Sequence, residues 1–160
     1  MSGNVQTGAG TRVYIGTKLS ANLTDDPVSD LAAMKAPGIT YTEIGELITI
    51  GDYGDSVGDA NYTALARARV THLKGVADGG TTDLTIAFDK GDAGQLALVA
   101  AQADRSAFHH LYPFKVVYPD GATDFFAAVV QGNRKQPGDG GSVVQRSVTI
   151  GLNSAVLEDA

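Results

Sequence analysis

The chain has 160 residues, no cysteine and a formal net charge of −6, a length that suits one domain with a substantial core. An acidic chain with scattered Lys and Arg is not suited to bind nucleic-acid phosphates. The lack of cysteine excludes disulfides, thiolate metal sites and cysteine nucleophiles. Because no apolar run reaches membrane-spanning length and no secretory leader is visible, we expect a protein made in the cytosol without membrane insertion.

The N-terminal third is predicted to hold two strands separated by a long excursion. Residues 1–10 are small and polar, which predicts a flexible N-terminal arm. Residues 11–16 alternate polar and apolar side chains, as a half-buried strand does. Residues 27–34 have room for one short helical turn, and residues 40–50 return to the strand pattern. The side chains predicted to point inward are Val13, Ile15, Ile44, Ile48 and Ile50.

Residues 51–62 form the most unusual segment, a predicted polar loop with three aspartates, three glycines and two tyrosines. Hairpins in compact domains usually close within about five residues, so a polar loop of this length needs a reason. A metal site, a ligand lid and an arm that orders against another protein are the candidates, and the arm is favoured. In that hypothesis tyrosines anchor the contact and aspartates set its register. The predicted residues are Asp52, Tyr53, Asp55, Asp59 and Tyr62.

Residues 63–74 alternate again and predict a strand with two unlike faces. One face carries Arg67 and Arg69 between leucines and a threonine, and the other is mostly alanine. Two explanations fit the arginines. They lie on a solvated strand face, or they pair with the acidic residues of loop 51–62 on a neighbouring subunit.

The second half of the chain predicts a strand, a helix and a hairpin in that order. Residues 82–88 predict a core strand with Leu84, Ile86 and Phe88 inward. Asp92 is a suitable N-cap for a helix over about residues 92–104. Its apolar stripe is predicted to be Leu96, Val99, Ala100 and Ala103.

A Pro-Asp-Gly turn at residues 119–121 predicts a hairpin between residues 114–118 and 124–131. The second of these strands is apolar on both faces, so we expect both faces to be covered. Residues 132–141 then predict a second polar loop. The last strand is predicted over residues 143–152 with Val144, Val148 and Ile150 inward.

Together these elements predict a mainly β protein. The expected fold is a two-sheet β-sandwich or small barrel of about seven strands with one flanking helix. Residues 11–153 are predicted to form a single domain with long loops at 51–62 and 132–141, followed by a polar tail at 154–160.

The sequence predicts no catalytic, cofactor-binding or metal-binding residue. A calcium-loop register beginning at Asp52 fails, because its sixth position is Val57 rather than Gly and its twelfth is Thr63 rather than Glu. His109 and His110 are adjacent, so in a strand they point to opposite faces and cannot share a metal ion. No Gly-x-Ser-x-Gly nucleophile elbow occurs. We therefore expect a protein that is not an enzyme.

With its elements in order, the chain resembles the major tail tube proteins of long-tailed bacteriophages with non-contractile tails, which are related to type VI secretion tube proteins. The likeness depends on the joint order of motifs rather than on any one of them. The motifs lie at residues 8–11, 51–64, 91–98, 115–125 and 146–150.

The resemblance implies a structural subunit whose rings, expected to be hexameric, stack into a hollow tail tube that delivers DNA. One sheet of each subunit would join its neighbours into a continuous inner barrel, and the long loop would order between rings. The implied partners are other copies of the chain, a tape-measure protein in the lumen, and tail terminator and distal tail proteins. DNA would pass without specific binding, and the implied location is the tail of a virion or of a gene-transfer agent.

Two alternatives remain open at this point. One is another structural protein of the same assembly, such as a terminator or a secretion-tube subunit. The other is a carbohydrate- or calcium-binding β-sandwich module, which would stay monomeric and respond to its ligand.

Overall fold

A computed structural model describes residues 5–19, 23–24, 26–105 and 111–159, which form ten strands and two helices. The strands are β1 Arg12–Ile15, β2 Thr42–Glu43, β3 Leu47–Ile50, β4 Ser56–Ala64, β5 Arg69–Asp78, β6 Thr81–Ala87, β7 Tyr112–Val117, β8 Thr123–Gln136, β9 Gln145–Leu152 and β10 Leu157–Asp159. The helices are α1 Pro27–Met34 and α2 Ala93–Ala103. Among the described residues, no helix is both long and apolar enough to cross a membrane.

Eight strands form one antiparallel sheet in the order β2-β1-β7-β8-β9-β6-β3, with β10 paired to the first residues of β8. The two remaining strands, β4 and β5, pair only with each other and form a separate sheet. The main core draws side chains from β1, β6, β7, β8 and β9 and from α2, which lies across this face. The predicted mainly β fold is confirmed, but the second sheet is a hairpin with no buried residue and does not cover the core.

Strand β8 is covered on both faces, as its continuous apolar run predicts. Phe126 and Ala128 point into the main core, where the Phe126 ring stacks on that of Phe114 with centroids 5.6 Å apart. Phe125 and Ala127 point to the other face and join a smaller core beneath α1. That smaller core is completed by Leu19, Met34 and Leu157. Helix α1 has two turns rather than the single turn predicted, and it is the second helix that the sequence-based fold lacked.

Helix α2 begins where predicted, but its buried face is a different one. The Asp92 side chain accepts a hydrogen bond from the Gln95 amide at 3.0 Å, which is the expected N-cap. The predicted stripe is wrong, since Leu96 is 57% exposed while Leu98 and the residues around it are buried. The buried residues are Gly94, Gln95, Leu98 and Ala101.

The close approach of the α2 backbone to β2 explains the change of face. A Cβ atom at Gly94 would lie 2.2 Å from the Glu43 carbonyl oxygen, so only glycine fits there. The Gln95 side chain also donates to the Ala87 carbonyl at 2.9 Å. These contacts fix the rotation of the helix, and a hydrophobic stripe alone does not reveal them.

Several inward predictions are confirmed and others are not. Val13, Ile15, Leu84 and Ile86 are buried as expected. The inward prediction for Ile48 is wrong. This side chain is exposed, because the β3–β6 register shifts between Leu47 and Thr49 and turns it outward. The remaining predicted inward residues divide, with Ile44, Val148 and Ile150 buried, Ile50 and Phe88 half-buried and Val144 exposed.

The second polar loop is shorter than predicted. Strand β8 continues through residues 132–136, where it pairs with β9 beyond a register shift after Val130. The loop therefore covers residues 137–144, and the predicted boundary at 132 is wrong. At the other end of β7, the turn at residues 119–121 is as predicted. The described part of the N-terminal segment contacts this turn, since the Asp120 amide donates to Gln6 Oε1 at 3.0 Å.

Candidate assembly surface

The segment predicted as a long loop followed by a strand is instead one long hairpin, β4–β5. Only residues 51–55 lack regular structure, and residues 65–68 form the turn that joins the two strands. Both the predicted loop 51–62 and the predicted continuous strand 63–74 are therefore wrong in their boundaries. The turn, Leu65-Ala66-Arg67-Ala68, contains no Gly, Pro, Asn or Asp, and Ala68 adopts a φ of 47° that alanine rarely takes. No turn chemistry in the sequence marks this position.

The hairpin stands clear of the rest of the subunit. No residue of β4 or β5 is buried, and Leu65 at the tip is 99% exposed. Strands of this length span about 30 Å. An isolated two-stranded hairpin is marginally stable in water, because each strand has one unpaired edge and little apolar surface is buried. The exposed large apolar side chains of the hairpin are Val57, Tyr62, Leu65, Val70, Leu73 and Val76.

The two faces of the hairpin differ in polarity. Cross-strand partners share a face, so one face carries the pairs Ala60–Leu73, Tyr62–Thr71 and Ala64–Arg69. The opposite face carries Asp59–Lys74, Asn61–His72 and Thr63–Val70. On that polar face the His72 ring nitrogen Nδ1 lies 3.0 Å from an Asp59 carboxylate oxygen. The first face is thus an exposed apolar surface with Tyr62 and Leu73 at its centre.

Charge is distributed unevenly along the hairpin. Residues 60–76 include Arg67, Arg69 and Lys74 and no aspartate or glutamate, in a chain whose net charge is −6. Both arginines are exposed, and no ion pair to either occurs within the described ranges. The acidic residues lie at the hairpin root instead, where Asp52, Asp55 and Asp78 are all exposed.

Tyr53 anchors the root of the hairpin within its own subunit. Its hydroxyl donates to Asp124 Oδ2 at 2.7 Å and also hydrogen-bonds the Tyr118 hydroxyl. Its ring packs on Phe126 with centroids 5.4 Å apart. Burial, followed by the hydrogen bonds to Tyr118 and Asp124, raises the pKa of the Tyr53 hydroxyl well above its usual value. Of the two tyrosines predicted as contact anchors, only Tyr62 is free at the surface.

The structure brings the predicted site residues together on one element but not at one point. Asp52, Tyr53 and Asp55 lie at the root, Asp59 and Tyr62 lie along β4 on opposite faces, and Arg67 and Arg69 lie at or beside the tip. Within one subunit the arginines therefore do not meet the root acids. The sequence did not identify the turn residue Leu65, whose exposure depends on where the turn falls.

Two neighbouring cavities lie beside α1 and the C-terminal residues, and one of them borders the hairpin root. One, of about 510 Å³, is bordered by Asp55 and Asp78 at the root and by Ser154 near the C-terminus. The other, of about 670 Å³, is an apolar groove between α1 and β10. Across the residues that the structure describes, no group of three or more His, Asp or Glu side chains is placed to hold a metal ion. His109 and His110 lie outside the described residues.

Comparison with known proteins identifies similar chains. A model of the family described as lambda phage tail tube protein matches residues 17–155. The SPP1 tail tube subunit is 15% identical with a TM-score of 0.60, over 94% of this chain and 76% of that one. A subunit from the tail of an empty gene transfer agent particle, solved with C6 symmetry, is 14% identical with a TM-score of 0.62, over 98% of this chain and 100% of that one.

A third similar structure is the sheath/tube terminator of the extracellular contractile injection system PVC. It is 9% identical with a TM-score of 0.68, over 99% of this chain and 100% of that one. At these identities the three structures support the fold. No curated protein sequence is similar enough to this chain to count as a match.

Proposed function

The chain belongs to the lambda phage tail tube protein family, and from that membership we propose that its subunits stack as hexameric rings into the hollow tube of a tail. Members of this family are structural components of a virion or gene-transfer-agent tail. The alternative of a carbohydrate- or calcium-binding module has no support in the family match. The work of a tube wall needs no catalytic residue.

The β4–β5 hairpin is the observation that carries the proposal. It extends about 30 Å from the body without burying one of its own residues, so the subunit alone gives it nothing to pack against. Its apolar face, centred on Tyr62 and Leu73, becomes buried when the next subunit covers it. In this assembly the interface residues are Asp52, Asp55, Asp59, Tyr62, Arg67 and Arg69, and Tyr53 holds the root in place.

Strand edges supply the lateral contacts within a ring. The eight-stranded sheet ends at β2 on one side and at β3 on the other. Edge strands present unpaired backbone donors and acceptors, and closing several sheets into a barrel removes those edges. Each subunit's β3 edge therefore meets a neighbour's β2 edge around the lumen.

The partners of the subunit follow from its place in the tail. It contacts other copies of itself, a tape-measure protein in the lumen, and terminator and distal tail proteins at the ends. The net charge of −6 suits a conduit, because an acidic wall repels phosphate and lets DNA pass without sticking.

Removal of the distal hairpin tests the proposal. Deleting residues 59–74 joins Gly58 to Gly75, and two glycines suit a tight hairpin turn. We expect this variant to fold with an unchanged thermal midpoint, and with circular dichroism that loses only the contribution of the deleted strand residues, but to form no tubes by negative-stain electron microscopy. Tubes of normal length from the deletion variant would disprove the role of the hairpin, and single rings from the intact chain would favour a terminator instead.

A further inference from the structure

An exposed apolar groove lies between α1 and β10, beside the cavity that borders the hairpin root. Val28 and Leu31 of α1 form one wall, and Val156 and Leu157 form the other. Val28 is 77% exposed, although it lies on a helix that covers part of the core. At about 670 Å³ the open groove has room for a leucine side chain and, beside it, the aliphatic stem of an arginine.

Acidic residues lie on the rim of this groove and along the cavity beside it. The groove adjoins the cavity that Asp55 and Asp78 border, because Pro27, Ala155 and Leu157 line both. Glu158 lies on the rim of the apolar part. The one lysine there, Lys35, is 2.8 Å from an Asp159 carboxylate oxygen, so its charge is already compensated. The groove is thus apolar at its centre and negative at its border.

The tip of the hairpin has the complementary character. Leu65 is the most exposed large apolar side chain of the described residues, and Arg67 and Arg69 follow it on a segment without acids. An apolar centre with arginines beside it matches an apolar groove with carboxylates beside it. Arginine is well suited to such contacts, because its planar fork binds carboxylates and its stem packs on apolar surface.

A subunit cannot fill its own groove. The groove system borders the root of the hairpin, and the tip lies about 30 Å away along strands of regular pairing. The occupant must therefore be the tip of a second copy. Such a contact joins two different surfaces, so it repeats from one subunit to the next instead of closing as a symmetric dimer.

We propose that the α1–β10 groove is the receptor for the β4–β5 tip of another subunit, with Leu65 in the groove and Arg67 and Arg69 on the carboxylates of Asp55, Asp78 and Glu158. This inference rests on the proposed assembly and specifies which surface receives the hairpin. It assigns α1 a role besides covering the smaller core.

Because the chain has no cysteine, only cysteines that are introduced can form disulfides in a trapping experiment. We would combine Leu65→Cys with Val28→Cys, two exposed positions where cysteine does not disturb the core. The matched control combines Leu65→Cys with Leu96→Cys, because Leu96 is an exposed apolar residue of the other helix. Each protein is assembled into tubes, oxidised mildly and separated on a non-reducing denaturing gel.

A head-to-tail contact makes a specific pattern. The variant with both Leu65→Cys and Val28→Cys should give a ladder of dimers, trimers and larger species, since every subunit then links to two others. A mixture of the two single variants should stop at the dimer. The Leu96→Cys control and each single variant alone should remain mostly monomeric.

The outcomes separate this inference from the function on which it rests. If tubes form and the ladder is absent, or the Leu96→Cys control gives an equal ladder, the groove is not the receptor while the tube function stands. If the unmodified chain forms no tubes, both proposals fail.

Charge reversal supplies an independent measurement. The change of Arg67 and Arg69 to glutamate should raise the concentration needed for polymerisation at least tenfold, and adding Asp55→Arg and Glu158→Arg should restore at least half of that loss. If the combined variant assembles no better than the first, the carboxylates do not receive the arginines.

Discussion

Truncation of the hairpin tip tests whether a residue that contributes nothing to its own fold contributes to assembly. Leu65 is 99% exposed, so Leu65→Ala removes no contact within the subunit. We expect the free energy of unfolding to stay within about 0.5 kcal/mol of the unmodified value. In the proposed tube, however, the same side chain lies against another subunit.

The size of the assembly effect follows from the area that the side chain buries. Complete burial of a leucine contributes about 1.5 to 3 kcal/mol, and alanine retains part of it, so we expect a loss of about 1.5 kcal/mol per subunit. A change of about 1.4 kcal/mol alters an equilibrium constant tenfold. The critical concentration for polymerisation should therefore rise about tenfold.

Two measurements on the same preparation decide the outcome. Urea unfolding of the monomer gives the subunit stability, and sedimentation of polymer across a concentration series gives the critical concentration. Leu96→Ala serves as the control, since it also shortens an exposed leucine and should change neither quantity. A critical concentration that rises less than twofold, or a monomer that loses more than about 1 kcal/mol, would refute the reasoning.

Three further predictions follow from charge, packing and protonation. Arg67→Glu should weaken polymerisation more at low than at high salt, because salt screens exposed charges; an effect independent of salt would argue against pairing between subunits. Gly94→Val should lower the stability of the monomer by about 3 kcal/mol, since its Cβ would meet the Glu43 backbone at 2.2 Å, and an unchanged thermal midpoint would contradict that packing. Partial burial and the hydrogen bonds to Tyr118 and Asp124 raise the pKa of the Tyr53 hydroxyl, so the folded subunit keeps this proton above the ordinary tyrosine pKa of 10.0. That contribution is complete below pH 10.0 and is lost as pH rises further, so Tyr53→Phe should flatten the loss of unfolding free energy above pH 10.0. An unaltered pH profile would show that Tyr53 ionises freely.

The sequence alone was sufficient to predict those elements whose ends are marked by capping or turn residues. Asp92 marks the start of α2 because its side chain caps the helix, and Pro119 to Gly121 marks a turn because these residues favour its dihedral angles. The apolar run of β8 predicted a strand covered on both faces. The joint order of such motifs was also enough for the resemblance to tail tube proteins, which the family match confirms.

The sequence predicted which residues form the exposed candidate surface, but it did not predict that they form a long hairpin. Its composition identified residues 51–62 as too polar for the core, and that remains true of the exposed hairpin. The sequence could not place the turn at Leu65 to Ala68, because alanine and arginine there favour no turn type. The sequence also predicted Tyr53 and Tyr62 as equivalent anchors of a contact between subunits. In the structure, the Tyr53 hydroxyl instead donates a hydrogen bond to Asp124 of its own subunit.

The sequence by itself determined the β character of this protein, its helix start, its central hairpin turn and its family. Each of these depends on interactions between residues close together in the chain. Only the tertiary structure decided which face of α2 is buried, where the long hairpin turns, and that an apolar groove is open between α1 and β10. Those features depend on contacts between residues far apart in the chain, such as Gly94 and Glu43, which are about fifty positions apart. No local sequence pattern shows that two such residues will meet in the folded protein.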